Sequence, residues 1–257
     1  MINNMKISKR FIKRITKLSS KSESNLKDEN YHKSVKLQQK ILKLTGKHPK
    51  FKFYYGQAAI KLANVLYLLS FYDDAINYYK KALKCLFNAQ TEEISKEVYT
   101  IYKGLFNCYI KTGGQEEVIK YGLMASYYKG ISPAEKLEIN GVIAKLHVKL
   151  FETDGKILYL IRGIGYCIDS IFKYEKLKLT NHVEYYDILL TSCDFYYYLR
   201  DFDIALQYCE KVEAAIGEID LPKNLIEKLY FFLHKIYNIK GLSEKALIYR
   251  NKLLELA

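Results

Sequence analysis

One local pattern returns along this chain at nearly fixed intervals, and a repeat of that length admits few folds. In FYDDAINYYKKALKCL, Phe71 to Leu86, the small residues Ala75 and Ala82 stand seven apart among Phe71, Tyr72, Tyr78 and Tyr79. A helix so rich in bulky side chains keeps alanine where a neighbouring helix crosses close to it. Aligned on Ala75, the pattern returns at Ala205 in RDFDIALQYCEKVEAAI and at Ala246 in GLSEKALIYRNKLLEL. GGQEEVIKYGLMASYY offers Val118, Gly122 and Ala125, and NYHKSVKLQQKILKL offers Ser34, Gln38 and Ile41. A blurred copy, TDGKILYLIRGIGYCI, is centred near Leu158. The anchors are then 41, 43, 40, 47 and 41 residues apart, a period typical of stacked helical hairpins.

A partner helix precedes each anchor. Ala59, Leu62, Ala63 and Leu66 stand before Ala75, and Tyr102, Leu105, Phe106 and Tyr109 hold the same places before Val118. Leu189, Ser192, Cys193 and Tyr196 precede Ala205, and Tyr230, Leu233, His234 and Tyr237 precede Ala246. This i, i+3, i+4, i+7 stripe is one buried face of an amphipathic helix. Pro49, Pro133 and Pro222 each fall 15 to 17 residues after an anchor, where one helix stops before the next begins. The predicted fold is all-α, a right-handed α-solenoid of about five to six hairpins over residues 25–257, preceded by a basic amphipathic segment over 1–24. Gly155, Gly163 and Gly165 predict that the fourth unit is the least regular.

Composition agrees. Only three prolines and 13 glycines occur in 257 residues, which disfavours a sandwich of many turns. The longest uncharged run, Leu62 to Tyr72, has 11 residues, short of the roughly 18 that would span a membrane. Five cysteines, an odd number without a CxxC pair, read as reduced thiols of a cytoplasmic protein. No GxSxG, HExxH, phosphate loop or zinc-ligand spacing is present. The five histidines are scattered, and Gly113-Gly114-Gln115 reads as a helix C-cap with its loop. The sequence therefore predicts no catalytic residues, no metal and no cofactor.

The segment YDDAINYYKKAL resembles the second helix of the tetratricopeptide repeat (TPR), and FDIALQYCEKV and LSEKALIYRNKLLEL are looser versions. The chain departs from that family in lacking tryptophan and in a period near 41 rather than about 34. Its longer period resembles the extended repeats of kinesin light chains and of bacterial receptors for signalling peptides. The resemblance implies a concave face lined by first helices, with groove positions about 18, 15, 11 and 8 residues before each anchor. Those are Gln57, Ile60, Asn64 and Tyr67; Thr100, Lys103, Asn107 and Ile110; Asp187, Leu190, Asp194 and Tyr197; and Lys228, Phe231, Lys235 and Asn238. Asn64 and Asn107 hold equivalent places, and one carboxamide both donates to and accepts from a peptide backbone. Lys103, one turn before Asn107, resembles the lysine–asparagine pair with which chaperone-binding members grip a carboxylate. The candidate groove residues are thus Gln57, Asn64, Tyr67, Lys103, Asn107, Asp194, Tyr197, Lys235 and Asn238.

Charge is the sharpest feature outside the repeat. Residues 1–52 hold 15 Lys/Arg against 3 Asp/Glu, a net of +12, while the remainder holds 26 against 25. In MKISKRFIKRITKLSSK, Ile7, Phe11, Ile15 and Leu18 share one helical face, with Lys6, Lys9, Arg10, Lys13, Arg14 and Lys17 around the rest. Four readings fit: the first helix or cap of repeat one; a surface for nucleic acid or an acidic protein; an interfacial helix on anionic lipid; or an organellar transit peptide. A secretory signal does not fit, because no apolar core follows the charges. The expected function is a non-enzymatic scaffold or adaptor holding a peptide or helix of a partner protein in its concave groove, and a homo-oligomer is compatible with it. The alternatives are a regulatory sensor of a small signalling peptide and a nucleic-acid-associated adaptor acting through the basic segment.

Overall fold

The computed structural model describes the backbone of residues 2–47, 49–86 and 92–256, and the side chains of 9–47, 50–86 and 95–256. Its helices pair into six antiparallel hairpins among these residues, and apart from an isolated bridge between Ile216 and Ile219 no strand occurs in them. The chain divides into two compact units, Met1–Ile131 and Ser132–Ala257, each a short α-solenoid of three hairpins. Unit 1 pairs α1 (Ile2–Lys27) with α2 (Tyr31–Thr45), α3 (Lys52–Leu68) with α4 (Tyr72–Leu86), and α5 (Glu92–Thr112) with α6 (Gln115–Ser126). Unit 2 pairs α7 (Pro133–Asp154) with α8 (Ile157–Lys176), α9 (Val183–Tyr198) with α10 (Phe202–Glu213), and α11 (Lys223–Ile239) with α12 (Ser243–Leu256).

The small anchors lie where helices cross. Ala75, Ala82, Ala205 and Cys209 have no exposed surface, and Ser34, Val118 and Ala246 are buried with them. On the first helices Ala59, Leu62 and Ala63, then Leu105 and Phe106, then Leu189, Ser192 and Cys193, then Leu233 and Tyr237 are buried. Each second helix begins three residues before its anchor, as Tyr72 stands to Ala75 and Phe202 to Ala205. Applied to α8, the rule selects Leu160, which is fully buried, whereas Leu158 is exposed. The fourth anchor is therefore Leu160, two residues beyond the expected place, and its neighbouring intervals become 42 and 45 residues.

The fourth hairpin is also more regular than its glycines predict. Helices α7 and α8 run unbroken for 22 and 20 residues. Gly163 survives inside α8 because a side chain there would collide with Phe195 of α9: a Cβ would lie 2.0 Å from the ring's Cζ. Packing across the hairpins outweighs the roughly 1 kcal/mol helix penalty of glycine. What distinguishes this hairpin is its turn. All six turns within hairpins contain one residue at positive φ: Glu29, Ser70, Gly113, Gly155, Arg200 and Gly241. In five of them the next amide reaches back five residues, as Phe71 N–H to Leu66 O and Asp201 N–H to Tyr196 O, which is the Schellman closure. At Gly155 only its own amide bonds back, to Phe151 O.

The prolines open helices rather than merely separating them. Pro133 is the first residue of α7 behind a complete capping box of Ser132 and Glu135, and Pro222 is the N-cap of α11. At the other end of unit 1, α1 continues past residue 24 to Lys27 and packs on α2. Ile15 is buried, Ser22 and Ser34 share a hydroxyl hydrogen bond of 2.6 Å, and Phe11 stacks on Phe51 with ring centroids 4.4 Å apart. The side chains of Lys6 and Ile7 lie outside the described residues.

Candidate peptide-binding recess

Helices α3 and α5 are successive first helices of unit 1, and between them lies a recess of about 280 Å³. Asn64, Tyr67 and Leu68 supply one wall, and Tyr99, Thr100, Lys103, Gly104 and Asn107 the other. Tyr79, rising from α4, forms the floor. Gly104 makes this possible, because a Cβ at that position would sit 2.2 Å from the Tyr79 ring. Buried beside Cys108 and Tyr67, the Tyr79 hydroxyl has its pKa pushed well up, first by loss of solvent and then by those neighbours, so it stays protonated and donates. Its acceptor is Asn64 Oδ1 at 2.5 Å. That bond fixes the exposed carboxamide of Asn64 with its N–H groups left for a ligand. Cys108, pushed up to about 12 chiefly by burial, stays a neutral thiol.

Four predicted groove residues, Asn64, Tyr67, Lys103 and Asn107, are thus brought to one recess. Gln57, two turns earlier on α3, donates to Glu97 Oε1 of α5 at 3.2 Å. Leu68, Tyr79, Tyr99 and Gly104 also line the recess and lie outside the groove positions counted along first helices. Tyr79 comes from a second helix, and Gly104 acts through the ring it admits.

Unit 2 treats its predicted residues differently. Asp194 of α9 accepts from Lys228 of α11 at 2.5 Å. Burial pushes its carboxyl above the usual range, with Lys228 opposing the shift. Asp187 is likewise bound to Lys145 of α7, and Glu152 of α7 accepts from the Tyr198 hydroxyl at 2.5 Å. These side chains tie successive first helices together. Tyr197 packs edge-on against Phe202 and Phe232. Lys235 and Asn238 are exposed on α11, Lys235 with its ammonium 5.6 Å from the Phe231 ring. Ile60 and Leu190, counted as groove-facing, are buried instead.

Lys9, Arg10, Lys13, Arg14 and Lys17 are exposed along α1. His147 is buried with Nδ1 against Ile143 O at 2.8 Å, and His234 Nδ1 meets Ala246 O at 3.0 Å. Among the described residues no group of three or more His, Cys, Asp or Glu is placed to hold a metal ion. No helix in them is long and apolar enough to cross a membrane.

No protein-family model matches the sequence, and no curated protein sequence matches it either. Solved structures do match in fold. BtubC from P. vanneervenii superposes with a TM-score of 0.59 at 17% identity, covering 88% of this chain and 90% of that one. Pseudomonas aeruginosa pilF gives a TM-score of 0.55 at 14% identity, over 96% of this chain and 93% of its own. TPR-like repeats assigned to a P. anserina kinesin light chain give 0.54 at 11% identity, over 80% and 95%. At such identities the likeness concerns architecture: the chain has a TPR-like helical-repeat fold.

Proposed function

We propose that this chain is a non-catalytic interaction scaffold whose unit 1 recess holds an extended peptide of a partner protein. The observation that carries the reading is the convergence of Asn64 and Asn107, from equivalent places on adjacent first helices, and of Lys103, one turn before Asn107, on a tyrosine-walled recess. The Asn64 amide donates to a peptide carbonyl, since its own carbonyl is engaged by Tyr79. Asn107 donates and accepts one repeat further on, and Lys103 attracts a carbonyl or carboxylate. Tyr67 and Tyr99 flank an apolar side chain of the ligand.

A displayed library of random peptides panned against the full chain supplies the probe. The selected peptide is then titrated against wild type and against Lys103→Ala/Asn107→Ala. A neutral hydrogen bond contributes about 0.5–1.5 kcal/mol and a charged one about 1.5–3, so affinity should drop tenfold or more with the helical signal and melting temperature unchanged. Unchanged affinity, or no peptide selected above background, refutes the reading.

A further inference from the structure

The 43 residues from Asn30 to Tyr72 contain eight lysines and no carboxylate. Four of those lysines, Lys33, Lys36, Lys40 and Lys43, lie on α2 at intervals of three and four residues, and Lys47 extends the series past its end. All five are exposed, while Ser34, Gln38, Ile41 and Thr45 on the opposite side of the helix are buried. At 1.5 Å per residue this makes an outward row of ammonium groups about 21 Å long with neighbours roughly 5 Å apart.

The row ends at two adjoining clefts of about 410 and 470 Å³ that share Tyr55 and Lys81. The first also takes Lys43 and Tyr78, and the second Lys47, Lys52 and Lys84. No carboxylate lines either cleft. Among the described residues neither the five lysines of the row nor Lys52, Lys81 and Lys84 of the clefts are ion-paired, and Lys81 makes only a cation–π contact with Tyr78. The helix dipole accounts for cations in the last turns of α2 and α4, where Lys43 and Lys84 stand. It disfavours Lys33 and Lys36, which occupy the N-terminal half of α2.

We propose that the outer face of α2 and the α2–α4 clefts bind single-stranded nucleic acid. The lysine row tracks the phosphates, and Tyr55 and Tyr78 offer rings on which bases stack. A helix made to lie on lipid would carry apolar side chains beside its cations. Here the apolar residues Ile41 and Leu42 are buried in the protein. This surface is separate from the recess between α3 and α5, so the two sites stand or fall independently.

The test is fluorescence anisotropy of a labelled single-stranded oligonucleotide of about 16 nucleotides, titrated with the full chain at several salt concentrations. Lys36→Gln/Lys40→Gln/Lys43→Gln/Lys47→Gln alters only exposed side chains, and its melting curve checks that it folds. Affinity should fall at least tenfold, and the slope of log affinity against log salt should shrink by about 3, as four lost phosphate contacts require. Tyr55→Leu/Tyr78→Leu should weaken binding while leaving that slope unchanged. No binding by wild type overturns the proposal. So does loss of binding only when Lys9, Arg10, Lys13, Arg14 and Lys17 are neutralised. Preference for phosphatidylserine vesicles over the oligonucleotide, or an unchanged affinity in the tyrosine variant, overturns it as well.

Discussion

Two glycines on α8, two residues apart, should respond to the same substitution with opposite signs. At Gly163 an added Cβ would lie 2.0, 2.3 and 2.9 Å from three atoms of the Phe195 ring, which has no exposed surface. Carbon atoms rest at 3.5–4.0 Å, so the ring must retreat by about 1.5 Å into a packed core. Overpacking of this kind costs about 1–3 kcal/mol, and so close a contact belongs at the upper end. Alanine returns roughly 1 kcal/mol of helix propensity, leaving a net loss of about 2 kcal/mol. For a chain of this size that lowers the melting temperature by about 4–8 °C. Gly165 meets nothing within 4 Å, so Gly165→Ala keeps the propensity gain and raises the melting temperature by about 2–4 °C. Thermal unfolding followed by circular dichroism reads both. Combining Gly163→Ala with Phe195→Leu supplies the cross-check: the two must couple by about 1 kcal/mol or more, because one relieves the other's clash. Equal signs for the two alanines, or strict additivity in the double variant, would refute the packing argument.

Ala75→Leu should overpack the α4 crossing by about 1–3 kcal/mol, whereas the exposed Asp73→Ala should change stability by less than about 0.5, both read from denaturant midpoints. Arg200→Gly should raise the free energy of unfolding by about 0.5–1 kcal/mol, since Arg200 holds φ 60 in a turn that glycine occupies without strain. Lys228→Met should cost about 1–3 kcal/mol by leaving the Asp194 carboxylate without its partner, and Asp194→Asn in that background should recover part of it. Burial, with Arg162 adding to it, holds the pKa of His147 below its ordinary 6.5, while its bond to Ile143 opposes the shift. Above pH 6.5 folded and unfolded chains both carry it neutral; below, only the unfolded chain takes the proton, so stability should fall with pH down to the folded pKa, and His147→Gln should flatten that slope in acid titrations.

The repeat was legible wherever its spacing rested on small residues. Ala75, Ala205 and Ala246 occupy equivalent crossings because alanine is what a close helix approach permits. In α8 the crossing is made by Gly163 beneath Phe195, and Leu160 takes the anchor's place, so no small residue marks the anchor in the sequence there. The candidate site divides in the same way. Asn64, Lys103 and Asn107 follow from repeat position, but the ring that orients Asn64 arrives from α4 through a gap opened by Gly104. In unit 2 groove positions on successive first helices carry opposite charges that satisfy one another, as at Asp194 and Lys228. Counting positions along one helix does not show which side chains have partners on the next. The basic excess was visible in composition, yet reading it as a property of α1 hid the row on α2, which appears only when exposed and buried sides of that helix are separated.

The capping box ahead of α7 has a practical consequence. Ser132 Oγ accepts from the Glu135 amide at 3.2 Å, the Glu135 carboxylate accepts from the Ser132 amide, and Pro133 has no amide hydrogen to satisfy. The helix therefore carries its own start signal within four residues and borrows no backbone partner from the residues before it. The Ile131–Ser132 peptide bond is in consequence a natural seam for gene dissection. Each side keeps three whole hairpins, no helix is cut, and the residues that begin α7 all stay on the same side of the cut.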